Sequence, residues 1–464
     1  MKILTIVITA CALSATLGAQ VPDFTPQTPL IGALLHDDRA AAKRLLESGA
    51  DPNDGQFFGM SPLLLAILRQ DLELVRLLQA KGADVTVRDR SGSTPLMWAA
   101  FSETGDATLV DELLRLGADP NATNKAGETA LDWALRRGDT AAVAALRKAG
   151  ASNPDAIKKS VEKSVSLLQA SGSQFSRTSG CTSCHHQYLP QMAFGAARDH
   201  GIAVDQAAWR RQTDATITVL NRVREEAVQN RDRIPDVPVS VSYALLSLFA
   251  GRHEADEVTD AMTRVIAAWQ SDDGAFHPLP AMRPPIEAGT VTATALSLRA
   301  LQLYGANQAE RIERASHWLR RATPRTTEER AMQLLGLAWA KAPADVIRGS
   351  ADALLHEQRP DGGWAQLATL ETDAYATGQA LVALQTAGYS AASPEYRRGV
   401  AFLVRTQFPD GSWLVRSRTF PVQPLKESGF PHGTHQWVSA AGTSWATLAL
   451  ALALPPPASS GTLQ

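Results

Sequence analysis

Cysteine is scarce in this chain of 464 residues, which contains three, and one of them, Cys11, lies in a hydrophobic leader. Disulfide bonds therefore do not hold the fold together, and helix packing must do so. An excess of charge is also lacking, because the formal net charge is −2. A chain with this balance offers no electrostatic reason to bind nucleic acid or an anionic membrane. Hydrophobic residues make up 45% of the sequence, which is enough for ordinary packed cores.

The apolar run near the start, residues 3–17, is too short to cross a bilayer, which takes roughly 20 residues. Lys2 precedes this run, and small residues follow it up to Ala19, as at a cleavage site. The pattern predicts a signal peptide over residues 1–19. It also predicts an exported protein, periplasmic or secreted, with no transmembrane segment after the peptide is removed. Lipidation at Cys11 is the alternative.

A short motif recurs four times in the first third of the chain. Its copies begin at Thr28, Ser61, Thr94 and Thr129, at offsets of 33, 33 and 35 residues. Proline follows in the first three copies, where it fixes φ and needs no amide donor in the first turn of a helix. The period and the motif resemble the ankyrin family over residues 28–152, as four repeats. The resemblance implies stacked helix pairs that bind a protein partner, or that brace the rest of the chain.

The two remaining cysteines stand together in the segment Cys181-Thr182-Ser183-Cys184-His185. Two thiols three positions apart, followed directly by an imidazole, have the spacing of c-type haem attachment. The segment resembles the attachment site of c-type cytochromes over five residues. The resemblance implies haem c bound covalently to Cys181 and Cys184, with its iron bound by His185. Such attachment occurs outside the cytoplasm, in agreement with the predicted leader.

Two other interpretations of this motif stay open. Zinc, which accepts sulfur and nitrogen ligands in a tetrahedron, could be held by Cys181, Cys184, His185 or His186, and His200. The second alternative is a redox disulfide between the two cysteines. Thioredoxins place such a motif after a strand, and no strand is predicted here.

For haem, the sequence leaves the axial ligand opposite His185 undetermined. Met192 follows only seven residues later and is expected on the same side of the haem. His200, His277 and Met282 are candidates, and an open site is the alternative. An open site would favour ligand binding, whereas a His or Met ligand would favour electron transfer.

The motif lies within residues 153–205, which we interpret as a connector. Apolar spacing predicts a helix over residues 157–170, and Ser171-Gly172-Ser173 is predicted to break it. From residue 206 to 453, apolar segments alternate with amphipathic ones and predict paired helices. Residues 454–464 are predicted to form a disordered tail.

A turn motif repeats where amphipathic helices of this second half end. Residues 358–364 and 407–413 are two copies, each with a leading Gln, a central Asp-Gly and a final Trp, and residues 270–276 are a weaker third. Asp-Gly makes the tight turn, and the tryptophan is a large apolar cover. These copies resemble the QW repeats of the squalene cyclase and prenyltransferase family. The resemblance implies an all-α fold of ankyrin repeats followed by a terpenoid cyclase-like α/α toroid, with an apolar small molecule in its central cavity.

Asp373 begins one of the apolar helices and has no neighbouring aspartates, so the acid motif of the cyclases is absent. The toroid also lacks the cysteine of the prenyltransferase zinc site. Asp373 is most simply a helix N-cap, and it is the candidate catalytic residue if the toroid is an enzyme. Other polar residues could form a rim or a solvated loop: Arg416, Arg418, Lys426, His432 and His435.

Three functions are consistent with these features. The first is an exported haem-binding or redox protein with ankyrin interaction repeats and a toroid that serves as a binding scaffold. The second is an enzyme acting on an isoprenoid or other apolar substrate in the toroid. The third is a protein-interaction module stabilised by zinc.

Overall fold

The computed structural model describes residues 28–455, apart from residues 58, 127, 139, 152–153, 180–181, 230–235, 279–283, 287–288 and 419–426. The predicted signal peptide and residues 456–464 of the predicted tail lie outside the described residues. The described part of the chain is helical and contains no β-strand, in agreement with the all-α prediction. None of the described helices is both long and apolar enough to span a bilayer.

The amino-terminal unit, which ends near residue 146, is built from short helices in pairs. They are α1 (Pro29–Leu35), α2 (Arg39–Glu47), α3 (Pro62–Leu68), α4 (Leu72–Ala80), α5 (Pro95–Ala100), α6 (Thr108–Arg115), α7 (Ala130–Leu135) and α8 (Ala141–Lys148). Three of these pairs begin at a proline behind a capping hydroxyl. Thr28, Ser61 and Thr94 each accept a hydrogen bond from the amide three residues on, at 3.3 to 3.4 Å. The motif therefore starts each helix pair as predicted.

Neighbouring pairs of this unit share one core and also bond through their turns. Leu46, Leu78 and Leu113 of the second helices are fully buried. In the turns, the Asn53 side chain donates to the Gly82 carbonyl at 2.9 Å and accepts from the amide of the next repeat at 2.8 Å. Because each repeat covers the apolar face of its neighbour, the stack is one continuous structure.

The second unit, from residue 147, has longer helices in the order outer, inner, outer, inner. They are α9 (Pro154–Ser179), α10 (Leu189–Asp199), α11 (Gln206–Gln229), α12 (Val237–Ala250), α13 (Glu257–Ala268), α14 (Thr290–Tyr304), α15 (Ala309–Arg321), α16 (Thr327–Trp339), α17 (Ala344–Leu355), α18 (Ala374–Thr386), α19 (Pro394–Thr406) and α20 (Gln436–Leu452). The even-numbered helices are the inner ones. Each packs against the inner helices before and after it, and α20 packs against α10, so the inner helices form a closed ring.

The segment predicted as a connector belongs to this ring. Helix α9 runs without a break from Pro154 to Ser179 and packs against α20, while α10 packs against both α12 and α20. The sequence Ser171-Gly172-Ser173 does not end α9, because the small residues serve packing instead. A Cβ atom at Gly172 would lie 2.7 Å from the carbonyl oxygen of His186. The ring therefore starts at residue 154 rather than at residue 206.

The repeated turn motif ties successive outer helices together. In each copy the glutamine side-chain amide donates to the glycine carbonyl of its own turn and to a carbonyl of another outer helix. These second acceptors are Arg311 of α15 for Gln270, Glu395 of α19 for Gln358, and Ser160 of α9 for Gln407, at 2.8, 2.7 and 2.9 Å. The last tie joins α19 to α9 and closes the outer layer of helices.

Candidate functional site

The last two residues of the cysteine motif, Cys184 and His185, lie in a single turn of π-helix, Cys184–Tyr188, between α9 and α10. Ser183 caps this turn by accepting a hydrogen bond from the His186 amide at 3.2 Å. Gln187 holds it in place, because its Oε1 accepts from the Ser183 amide at 2.7 Å and its Nε2 donates to the Gly172 carbonyl at 3.2 Å. A single π-turn next to a helix is a frequent feature of functional sites.

Both histidines of the motif are buried among aromatic side chains. His185 stacks on Trp437 with ring centroids 4.9 Å apart, and His186 stacks on Phe175 at 4.7 Å with the rings nearly parallel. Burial lowers the pKa of His186 to about 3, so its imidazole is neutral. Neither of its ring nitrogens has a hydrogen-bond partner among the described residues. A neutral imidazole is the form that binds a metal ion.

The chemistry of these residues fits a covalently held haem. Cys184 is half-buried and packs against the hydrophobic core of the ring. Trp437 and Phe175 supply flat apolar walls beside the buried imidazoles. Cys181, the other thiol of the motif, lies outside the described residues. The residues that would hold the group are Cys181 and Cys184 by thioether bonds and His185 by its imidazole.

The other predicted metal ligands do not gather at the motif. His200 follows the carboxyl end of α10 and lines a cavity there together with Met192. His277 is exposed, with its Nδ1 3.3 Å from the Thr290 hydroxyl, and Met282 lies outside the described residues. In the part of the chain that the structure describes, no three His, Cys, Asp or Glu side chains are placed to hold a metal ion.

Inner helices bring a set of buried polar side chains together near their amino-terminal halves. This interior cluster consists of Tyr243 of α12, Thr292 of α14, Glu328 of α16, and Tyr375 and Gln379 of α18. No hydrogen bond of normal length and angle reaches either tyrosine hydroxyl, the polar atoms of the Gln379 side chain or Oε2 of Glu328 among the described residues, although Tyr375 and Gln379 lie close enough to Glu328 to stabilise its carboxylate. Because buried polar groups in native proteins are normally satisfied, the cluster is suited to binding water or the polar part of a ligand.

Glu328 is the titratable centre of the interior cluster. Burial raises its pKa from 4.5 to about 7, although Gln379, Tyr375 and the Thr292 hydroxyl, 3.3 Å from Oε1, act in the opposite direction. Its place in the first turn of α16 favours the carboxylate by only about 0.3–1 kcal/mol. The raised pKa corresponds to roughly 3 kcal/mol in favour of the neutral acid, so burial outweighs the helix terminus. Glu328 can therefore exchange a proton near neutral pH.

Asp373 is the N-cap of α18, as the sequence suggested. Its carboxylate accepts hydrogen bonds from the amides of Tyr375 and Ala376 at 2.9 and 3.0 Å. Burial nevertheless raises its pKa to about 6. The positive charge of Arg418, whose Nε donates to Gln366 at 2.9 Å, acts on both Asp373 and Glu328. The candidate aspartate thus lies beside the interior cluster, in the electrostatic field of the same arginine.

The motif and the interior cluster belong to one region of the ring. Burial raises the pKa of Tyr243 well above its usual value, and the nearby Glu328 and Cys184 raise it further. The Cys184 thiol and the Glu328 carboxyl therefore act on the same hydroxyl.

The sequence pattern described above does not point to Glu328. The apolar pattern indicates α16 only from Arg330 onwards, whereas the helix begins at Thr327 behind the N-cap Thr326. The spacing of Thr326 and Glu329 is an N-terminal signature that predicts this earlier start. It would have placed Glu328 in the first turn of an inner helix.

Glu328→Gln is expected to remove a pH dependence of stability. Since the folded protein raises the pKa of Glu328 from 4.5 to about 7, it retains a proton that the unfolded chain releases between these values. The free energy of unfolding should fall by roughly 3 kcal/mol as pH rises through this window and then level off. Urea unfolding of wild type and variant at several pH values between 4 and 8 measures the difference.

The matched control for this measurement is Glu329→Gln. The Glu329 carboxylate accepts a hydrogen bond from the Arg325 amide at 2.6 Å. This variant should keep the pH dependence of wild type, to which Asp373 also contributes in the same direction. If the free energy of unfolding depends on pH in the same way in wild type and in Glu328→Gln, Glu328 does not hold the proton.

The amino-terminal unit carries a separate aromatic patch on its third and fourth helix pairs. Trp133 meets Trp98 and Phe101 edge-on, with ring centroids 5.2 and 5.6 Å apart. Phe101 and Leu135 are exposed by 36% and 41%, and the Arg137 guanidinium lies 4.6 Å from the Phe101 ring. Aromatic and arginine side chains of this kind are enriched where proteins contact one another.

Comparison with known families agrees with the repeat pattern of this unit. A model of ankyrin repeats in three copies matches residues 30–124, and a model of ankyrin repeats in many copies matches residues 102–147. The comparison with curated proteins gave no match for the chain. The likeness of the cysteine motif to cytochromes and of the ring to cyclases stays a prediction. Residues 30–147 are an array of ankyrin repeats, and they support a role in protein interaction.

Proposed function

We propose that this is an exported redox protein that carries a covalent haem at Cys181, Cys184 and His185. The ankyrin array binds a protein partner, and the helical ring is the scaffold that holds the haem site. Bound haem would supply one-electron chemistry or a site for a small gaseous ligand. The ring itself buries the imidazoles, excludes water from them and fixes the motif turn through Gln187.

The observation that carries this proposal is the burial and packing of the motif residues in the fold. Two imidazoles lie buried against Trp437 and Phe175 directly beside the half-buried Cys184. Both nitrogens of His186, the imidazole next to the proposed iron ligand His185, lack a hydrogen-bond partner among the described residues, which is unusual for a histidine with only a packing role. Aromatic walls beside neutral imidazoles suit a large, flat, apolar macrocycle.

The proposal is tested on the mature protein, produced in a host that matures c-type cytochromes. We expect a Soret band that survives acid-acetone extraction and an intact mass equal to the polypeptide plus one porphyrin. Metal analysis should find iron at one per chain. A colourless protein of polypeptide mass alone would overturn the proposal, and zinc at one per chain without iron would favour the zinc-stabilised module instead.

The interior cluster supports a second function, an enzyme acting on an isoprenoid or other apolar substrate inside the ring. Glu328 and Asp373, with pKa values of about 7 and about 6, can donate or accept a proton near neutral pH. Turnover of a polyprenyl substrate panel should then be lost in Glu328→Gln and in Asp373→Asn, while circular dichroism stays unchanged. Full turnover in either variant would remove that residue from the mechanism.

A further inference from the structure

A cavity opens at the end of the ring where the inner helices have their carboxyl termini. Its volume is about 690 Å³, and residues from the carboxyl-terminal parts of α10, α12, α14, α16 and α20 line it. The lining is largely apolar: Met192, Leu246, Leu303, Trp339, Leu448 and Leu452. Phe249, which is 51% exposed, also lines the cavity. An apolar cavity of this size is typical of a small-molecule site.

Most charged groups in this cavity are already paired. Asp199 accepts from Arg198 at 2.8 Å and from Arg252 at 3.1 Å. The His253 Nε2 lies 3.0 Å from an Asp256 carboxylate oxygen. Arg198 and Arg252 lie at the carboxyl ends of their helices, where the helix dipole favours a cation. The charges of these residues are therefore balanced without a ligand.

Arg299 of α14 is different. Its guanidinium is half-buried, donates to the Gln302 side chain at 3.2 Å and lies 5.5 Å from the centre of the Trp339 ring. No carboxylate lies within ion-pair distance of it among the described residues. Arg299 also lies more than one turn before the end of α14, so the helix dipole stabilises its positive charge only weakly. A half-buried guanidinium without a counter-ion, on the wall of a largely apolar cavity, is suited to binding an anionic group.

We propose that this cavity binds a long-chain carboxylate, such as a fatty acid. The carboxylate accepts two hydrogen bonds from the Arg299 guanidinium, whose planar fork matches it. The hydrocarbon chain lies along the leucines and Trp339, which bury it from water. A free inorganic anion would leave this apolar lining without a role. His200, whose Nδ1 is buried without a hydrogen-bond partner among the described residues, is a further polar group on the cavity wall.

The test is titration calorimetry of the full-length protein with oleate, kept below its micelle concentration. We expect wild type to bind oleate and Arg299→Gln to bind it at least about tenfold more weakly. Oleyl alcohol, which has the same chain but no charge, should bind both proteins equally. The matched control is Arg264→Gln on α13, where an exposed arginine pairs with Asp260, and its affinity for oleate should stay unchanged.

Two additional measurements keep the proposal testable if Arg299→Gln alters the fold. Leu452→Trp fills the cavity without changing its charge and should also weaken oleate binding. Inorganic phosphate should not displace oleate from wild type. The proposal is overturned if wild type does not bind oleate, if Arg299→Gln binds it as well as wild type does, or if phosphate competes with it. None of these results depends on whether haem is attached at the motif.

Discussion

Cys184→Ala is expected to yield a protein without stably attached porphyrin. The variant removes one of the two thiols that would form thioether bonds, and it leaves His185 and its stacking on Trp437 in place. A single thioether and an imidazole hold the group far less securely than the complete motif. We expect most molecules to have the mass of the polypeptide alone, whereas any molecule that keeps one thioether bond to Cys181 would retain its porphyrin through acid-acetone extraction.

The matched control for this change is Thr182→Ala, which alters the residue between the two cysteines. The Thr182 hydroxyl lies 2.7 Å from the Tyr188 hydroxyl, so the change removes a hydrogen bond of the motif but none of the groups that would hold haem. This variant should retain the full porphyrin mass. Equal loss in both variants would mean that the fold of the turn, rather than the Cys184 thiol, decides attachment.

Trp364→Ala is expected to destabilise the ring by roughly 3–5 kcal/mol, the usual cost of truncating a fully buried aromatic residue. Trp364 ends one copy of the repeated turn, is 0% exposed, and donates its indole N–H to the Leu354 carbonyl at 2.8 Å. The substitution would leave a cavity beside α17 and α19 and remove the partner of the Leu354 carbonyl near the end of α17. The shift in the urea midpoint of unfolding, followed by circular dichroism, measures the effect.

Phe408→Ala is the control from a second copy of the same turn. Phe408 is 44% exposed, and its ring meets the edge of His432 at 5.1 Å. Because little apolar surface is lost, the expected cost is below about 1 kcal/mol. Similar midpoints for the two variants would indicate that the repeated turn does not anchor the ring through its buried tryptophan.

Local sequence signals predicted much of this fold. The Thr-Pro and Ser-Pro starts specify the array helices because a hydroxyl cap and a fixed proline φ act within one turn. Alternating apolar and amphipathic segments likewise predicted α12 and α18. The glutamine of each repeated turn marks the ends of outer helices, since it bonds within its own turn. All of these features depend on residues that are close together in the chain.

The features that local sequence does not predict depend on contacts between distant parts of the chain. Ser171-Gly172-Ser173 looks like a helix break, and only the close approach of the His186 carbonyl explains why small residues lie inside α9. Glu328 resembles any surface glutamate in the sequence, and its role arises from burial by Tyr243 and Tyr375 of two other helices. Arg299 stands out only in the folded ring, where no carboxylate lies within ion-pair distance of it among the described residues.

The closure of the ring has a consequence for how the protein is made. The Thr447 hydroxyl donates to Ser164 at 2.7 Å, across 283 positions of the chain, and α20 packs against both α9 and α10. A ribosome must therefore deliver nearly the whole polypeptide before these partners can meet, whereas each ankyrin repeat needs only its neighbours. We expect the array to fold first and the ring to close afterwards, as is usual for long-range contacts. Nascent chains that stop before residue 436 would expose the apolar flanks of α10 and α18 and become substrates for chaperones.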